Sequence, residues 1–225
     1  MLSRVQQDDQ QGPAHAFSAA APLSVPAPAA AGPQRWHGAL VFVANFLRHP
    51  LQVGTAFRSS RALVRRIADG SPWPRYRRVL ELGPGVGTVT AALLQRLPAD
   101  ARLLAVEANP HFVAELQRTL PDRRLLLLPG DAADLPDLLA RHTPGCFDAV
   151  VSGIPFSTMP IATRRTVLDA VVAALADDGE LLVYQHSALV LPLLRERFDA
   201  VAAETEWRSL VPMRVFRCRR PLRAR

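Results

Sequence analysis

Val79-Leu80-Glu81-Leu82-Gly83-Pro84-Gly85-Val86-Gly87-Thr88 is a short apolar run that breaks into three glycines at alternate positions. It reads as a buried strand turning tightly into a helix, with backbone able to approach a ligand where a Cβ would intervene. Outward from it, strand-like runs at 78–82, 102–107, 124–128, 147–152 and 180–186 alternate with helix-like stretches near 88–97, 110–119, 132–140 and 161–177. Runs such as Leu103-Leu104-Ala105-Val106 and Ala149-Val150-Val151 lack polar alternation, so they belong in a parallel sheet covered on both faces. A short helix over 189–198 follows, and then two runs, 203–209 and 211–218, close enough in sequence to pair as an antiparallel hairpin. The expected fold class is α/β: a mostly parallel, Rossmann-like, seven-stranded sheet over residues 76–221, with an antiparallel hairpin at its carboxyl-terminal end.

A chain of 225 residues suits one such core and is short for two. With 49% hydrophobic and 21% charged residues it has the balance of a globular protein, and no apolar stretch approaches the roughly 20 residues of a membrane span. The two cysteines, Cys146 and Cys218, match no metal-ligand spacing and no disulfide framework, so no metal is expected and a reducing cytoplasm is. The net charge of +7 is carried by arginine alone, which favours bidentate contact with phosphate or carboxylate on nucleic acid or an anionic membrane.

Residues 1–35, rich in alanine, proline and glutamine, read as a disordered tail. A secretory signal is the rival reading, opposed by Asp8, Asp9, Pro22, Pro26 and Pro28. Residues 36–75 read as amphipathic helices that extend the fold at its amino-terminal end. One is apolar almost all round (Leu40, Val41, Phe42, Val43, Phe46, Leu47). The next, over 53–68, sets Phe57, Val64 and Ile67 against an arginine stripe of Arg58, Arg61 and Arg65. Ser71-Pro72-Trp73-Pro74 reads as a rigid linker into the first strand.

Three features in register at successive strand ends point to a nucleoside ligand. Gly83, Pro84, Gly85, Gly87 and Thr88 form the turn into the helix. Glu107, 20 residues after Gly87 and followed by Ala108, is placed to accept from both hydroxyls of a ribose. Asp131 and Ala132 close the third strand, where a carboxylate would meet an adenine amine. Each acid alone is equally well explained as a helix cap. An acid-Leu-Gly-x-Gly-x-Gly pattern, with Glu81 inside the strand, resembles the loop of methyltransferases that use S-adenosyl-L-methionine and release S-adenosyl-L-homocysteine. A dinucleotide loop spaces its third glycine one residue further on. An acid in the first strand also suits the ammonium of an amino-acid moiety.

The fourth strand ends in Ser152-Gly153-Ile154-Pro155-Phe156, at the edge where open α/β sheets bind ligands. This segment resembles the Asn/Asp-Pro-Pro-aromatic motif of amine methylases, with the polar position reduced to Ser152 and Gly153, which favours a mobile aliphatic amine over a flat base. An ammonium with a pKa of about 10 must lose a proton before it attacks. His186 is the candidate acceptor of that proton, with Tyr184 or Phe156 facing the developing positive charge. A strand-end histidine exposed to water fits His186 equally.

Together these residues resemble the bacterial phospholipid N-methyltransferase family, which converts phosphatidylethanolamine stepwise toward phosphatidylcholine. The matching pieces are Phe46-Leu47-x-x-Pro50 through Ser59-Ser60-x-x-Leu63, Glu81 to Gly87, Val106-Glu107-x-Asn109-Pro110, Gly130-Asp131-Ala132, Ser152 to Pro155, and Val211-Pro212-x-Arg214-Val215. The resemblance implies a class I methyltransferase fold, cofactor contacts that include Ser59 and Ser60, a monomeric enzyme, and a peripheral place at the inner face of the cytoplasmic membrane. The helices of 36–75 would then lie on anionic lipid, arginines at phosphates. Arg58 stands where the family usually has proline. A weaker resemblance extends to ribosomal RNA adenine dimethylases. Methylation of another amine lipid, such as an ornithine lipid, and a silent cofactor-binding module are the remaining alternatives.

Overall fold

The computed structural model describes residues 61–142, 145–208 and 212–222. The expected tail, the first apolar helix, Ser59 and Ser60 lie outside the described residues. The chain proceeds through α1 (Arg61–Ala68), β1 (Arg78–Leu82), α2 (Thr88–Arg96), β2 (Arg102–Glu107), α3 (Pro110–Thr119), β3 (Leu125–Pro129), α4 (Leu135–His142), β4 (Phe147–Ser152), α5 (Ile161–Ala174), β5 (Leu175–Gln185), α6 (Leu191–Arg195), β6 (Phe198–Glu206) and β7 (Met213–Pro221). The strands form one seven-stranded sheet in the order β3-β2-β1-β4-β5-β7-β6. β1 to β5 are parallel, and β7 runs antiparallel between β5 and β6.

Successive strand residues face opposite sides of a sheet, and here both sides are covered, so the central strands are apolar throughout. Leu80, Leu82, Val150, Leu181 and Val183 pack beneath α4, α5 and α6, while Val79, Leu103, Val151 and Leu182 pack with α1 and α2 through Leu63, Ile67, Val89 and Leu93. By the same alternation Glu81, Glu107 and Tyr184 face the α1–α2 side. The strand order reverses between the parallel neighbours β1 and β4, and the crevice at their carboxyl ends is where open sheets bind ligands.

Three boundaries differ from the sequence reading. Ser71-Pro72-Trp73-Pro74 is no free linker: Trp73, in a 3-10 turn (Trp73–Arg75), is 1% exposed and its Nε1 donates to Ala68 O at 2.8 Å, closing the end of α1. β5 starts at Leu175, ahead of the expected 180, because Leu175 pairs with Phe147 across an irregularity that absorbs Asp177 and Asp178. The hairpin is shifted. β6 begins at Phe198, which the sequence reading put at a helix end and which is buried in the core, and β7 runs on through Arg219 and Arg220. Those arginines pair with Glu180 and Asp199, so their charge does not end the strand.

α1 is held against the hairpin by its own arginine. Arg66 bonds Glu204 and, at 3.0 Å, Glu206, and Arg217 on β7 donates to Arg66 O and to Ser71 Oγ. Arg61 and Arg65, two members of the expected stripe, remain exposed.

Candidate functional site

The glycine loop forms as the sequence predicts. Gly83, Gly85 and Gly87 have φ of +72°, +57° and +79°, left-handed values that L side chains adopt only with strain. Gly83 N donates to Val106 O and Gly153 N donates to Leu82 O, so the ends of β1, β2 and β4 are tied together at this loop. Thr88 opens α2, and Pro84 is buried beneath the turn.

Glu81 is fully buried in β1, and neither of its carboxylate oxygens has a hydrogen-bond partner among the described residues. Burial pushes its pKa up to about 8. Thr90, which faces it outside hydrogen-bond geometry, works against that rise, and the charge of Glu107 adds to it. Thr90 Oγ1 and Ser152 Oγ are likewise buried without partners. Buried polar groups are ordinarily paired, so four such atoms around one loop mark a place shaped for a polar ligand.

Glu107 ends β2 beneath the loop. Its Oε2 accepts from Gly85 N at 3.0 Å and its Oε1 from Asn109 N at 2.8 Å. Burial raises its pKa, and the amides of Asn109, Gly85 and Ala108 work against that rise, with little of the carboxyl group exposed. Asp131 is half-buried and caps the 3-10 turn Ala132–Asp134, accepting from Ala133 N at 2.9 Å, with Ala132 buried below it. The capping role weighed in the sequence is therefore real for Asp131, whereas the helix after β2 is capped by Asn109, whose side chain accepts from His111 N, and Glu107 instead receives the Asn109 amide. Both acids stand at the ends of adjacent strands.

Ser152-Gly153-Ile154-Pro155-Phe156, the segment expected to bind the acceptor, is anchored more firmly than its sequence suggests. Phe156 N donates to Gln185 Oε1 at 3.2 Å, and Gln185 Nε2 donates to Ser187 O at 2.7 Å. The sequence reading missed Gln185. An amide at a strand end carries no signal by itself, but a buried one must find partners. Ile154 packs its Cγ2 where a Cβ on Gly83 would stand, 2.9 Å away. Phe156 is a correction: at 1% exposure its ring lies in the core with Val190 and Leu194, so it does not face the substrate.

Tyr184 does come to the site. Its hydroxyl lies against the α-carbon of Gly153: a Cβ there would collide with Oη, come within 2.6 Å of Cζ and sit 3.1 Å from Gly83 O. Burial, and then the charges of Glu81 and Glu107, raise the pKa of this phenol well above its ordinary value. His186, one residue past β5, is exposed, and its Nδ1 donates to Pro212 O at 3.0 Å. A carbonyl only accepts, so neutral His186 carries its proton on Nδ1 and leaves Nε2 free to accept one.

Residues 79–179 match the methyltransferase domain family. Among solved structures, the fold is similar to the N-methyltransferase NodS from Bradyrhizobium japonicum WM9, with a TM-score of 0.58, 18% identity, and coverage of 79% of this chain and 98% of that one. A second structure of NodS, in complex with S-adenosyl-L-homocysteine, aligns at a TM-score of 0.56 and 18% identity, over 72% of this chain and 85% of that one. Residues 79–179 are a methyltransferase domain, and S-adenosylmethionine is its cofactor. The residues present fit that cofactor: an unpaired buried carboxylate for a cationic amino acid, a glycine cradle for a nucleoside, and acids at two further strand ends. The chain is 29% identical to an ornithine lipid N-methyltransferase of Singulisphaera acidiphila over 181 residues, covering 80% of this chain and 94% of that one. It is 38% identical to ribosomal RNA small subunit methyltransferase A of Gloeobacter violaceus over 115 residues, covering 50% of this chain but 39% of that one. The chain thus spans nearly all of the lipid enzyme it matches and well under half of the RNA enzyme.

Proposed function

We propose that this methyltransferase transfers methyl groups to the amine of a membrane lipid headgroup, with phosphatidylethanolamine and its methylated derivatives as the first acceptors to test and ornithine lipid as the second. The observation that carries the reading is Gly153. The acceptor segment presents no side chain there to hold a flat base, and the room is taken by a phenol hydroxyl. The match along nearly the full length of an ornithine lipid enzyme supports the same direction.

When bound, the cofactor supplies a methyl group on a positively charged sulfur. In this reading Glu81 takes the cofactor's ammonium, Gly83 to Thr88 give its amino-acid part a backbone cradle, Glu107 accepts from the ribose hydroxyls with Ala108 beside it, and Asp131 with Ala132 meets the adenine. Ser152 and Gly153 hold the acceptor's amine opposite the methyl. His186, with Nε2 free, takes a proton from the ammonium form of the amine.

No helix among the described residues is long and apolar enough to cross a membrane. Contact with anionic lipid would come from the surface. Trp207 is 74% exposed just past β6 and Leu189 is 61% exposed in the loop after β5, both at the sheet edge that carries the site. Arg208 and Arg214 near that edge, with Arg61 and Arg65 on α1, are exposed and suited to lipid phosphates.

The test supplies methyl-labelled cofactor with vesicles of phosphatidylethanolamine, vesicles of ornithine lipid, or ribosomal RNA. Label in either lipid and none in RNA supports the reading and names the acceptor; label in RNA alone refutes it.

A further inference from the structure

We infer that the Tyr184 hydroxyl joins Ser152 and Gly153 in holding the acceptor amine, by accepting one of its N–H bonds, and that residue 153 must be glycine so that this hydroxyl can stand there. The inference rests on the amine-acceptor reading above.

Four observations converge on it. First, Tyr184 belongs to β5 but its oxygen occupies the space over Gly153 that a side chain on β4's end would otherwise fill. Second, that hydroxyl donates to no group and accepts from none among the described residues, although the residue is 8% exposed. Third, the backbone beneath it is fixed. Gly153 N donates to Leu82 O, Phe156 N is held by Gln185, and Tyr184 pairs with Val215 and belongs to the buried apolar cluster that includes Val79, Val89 and Val151, which confines its ring. Fourth, burial, and then the charges of Glu81 and Glu107 on the same side of the sheet, disfavour a phenolate, so the group remains a neutral hydroxyl with its lone pairs available.

The chemistry needs such an acceptor. A neutral primary amine carries two N–H donors and one lone pair, and the lone pair must be the part that points at the methyl carbon. An N–H donated to Tyr184 Oη orients it so. The nitrogen lone pair then forms the new N–C bond as the C–S bond breaks. The bonding electrons of that bond stay on sulfur, and the surplus proton of the methylammonium passes to solvent. Tyr184 neither gains nor loses a proton; it is a binding and orienting group.

The experiment uses the full chain and three forms: wild type, Tyr184→Phe and Gly153→Ala. Binding of S-adenosyl-L-homocysteine is read by calorimetry. With that product present, binding of a short-chain, monomeric phosphatidylethanolamine is read by nuclear magnetic resonance titration, and transfer by kcat/KM. Tyr184→Phe keeps the ring, the packing and the affinity for S-adenosyl-L-homocysteine. It loses about tenfold in amine-lipid affinity and at least as much in kcat/KM, the scale of one hydrogen bond whose partner is left unpaired. Gly153→Ala retains the hydroxyl but displaces it, and shows the same pattern. Amine-lipid affinity equal to wild type in Tyr184→Phe overturns the inference. So does a parallel fall in S-adenosyl-L-homocysteine affinity, which would assign the hydroxyl to the cofactor. A wild type that binds S-adenosyl-L-homocysteine yet neither binds nor methylates an amine lipid sinks the lipid-amine reading itself, and the inference with it.

Discussion

Replacing Glu81 with glutamine should stabilise the cofactor-free protein at high pH while abolishing its use for the cofactor. The carboxyl has an ordinary pKa of 4.5 and is pushed up to about 8 in the fold, chiefly by burial. Below pH 4.5 it is protonated in both folded and unfolded chains and contributes no pH dependence. Between 4.5 and 8 the unfolded chain ionises first, so the folded state binds the extra proton and stability falls as pH rises. At 1.36 kcal/mol per pH unit that interval is worth about 4–5 kcal/mol as an upper bound, and about 2–3 kcal/mol is a realistic expectation once relaxation around the carboxylate is allowed. Glutamine keeps the shape and cannot ionise. Urea denaturation of both proteins at pH 5, 6.5 and 8 measures the effect, and their difference at each pH removes shared contributions such as that of Glu107. Near-equal stability at pH 5 and a widening advantage for Glu81→Gln toward pH 8 are expected. Adding S-adenosyl-L-homocysteine should stabilise the wild type and leave the variant almost unmoved, since the ligand's ammonium would face an uncharged amide. A stability difference that does not change with pH, or a variant less stable at pH 8, would refute the buried-acid argument.

Gly87→Ala should cost about 2–4 kcal/mol in denaturant melts, because a left-handed φ of +79° is combined with collision against Leu116 and a 2.9 Å approach to Leu120 Cδ1. Asp122 is held at a pKa of about 2 first by its side-chain bond to Arg124, so its contribution is complete above its usual 3.8 and disappears as pH falls through 2. With both side chains partly exposed, Asp122→Asn should lose about 1 kcal/mol at pH 7 and nothing near pH 2. Trp207→Ala should weaken co-flotation with vesicles rich in anionic lipid while leaving S-adenosyl-L-homocysteine affinity intact. Unchanged flotation would remove Trp207 from the membrane-facing surface.

What the sequence made legible, and what it hid, follows from how many faces each residue must satisfy. β1 to β4 could be read to within a residue because strands buried on both sides are apolar at every position. The β6–β7 hairpin could not, because Arg217 and Arg219 look like solvent-facing charges until Arg66 O, Ser71 and Glu180 are seen to receive them. Phe156 follows a proline at a ligand-bearing edge, a pattern shared by a ring that stacks on substrate and a ring that fills the core, and only the third dimension separates them. The end of β5 shows why the proposed acceptor site in particular resists reading. Tyr184 and Gln185 are neighbours in sequence but face opposite sides of the sheet: one stands over Gly153, and the other clamps Phe156 three residues further along the same segment. A slip of one residue in the β4–β5 register would exchange the phenol and the amide and leave neither function possible. The irregular pairing between Phe147 and Ala149, which the sequence does not announce, sets that register by joining Leu175 to Phe147 and Glu180 to Ala149. The chemistry at residue 153 is therefore fixed by a strand irregularity at the far end of β4.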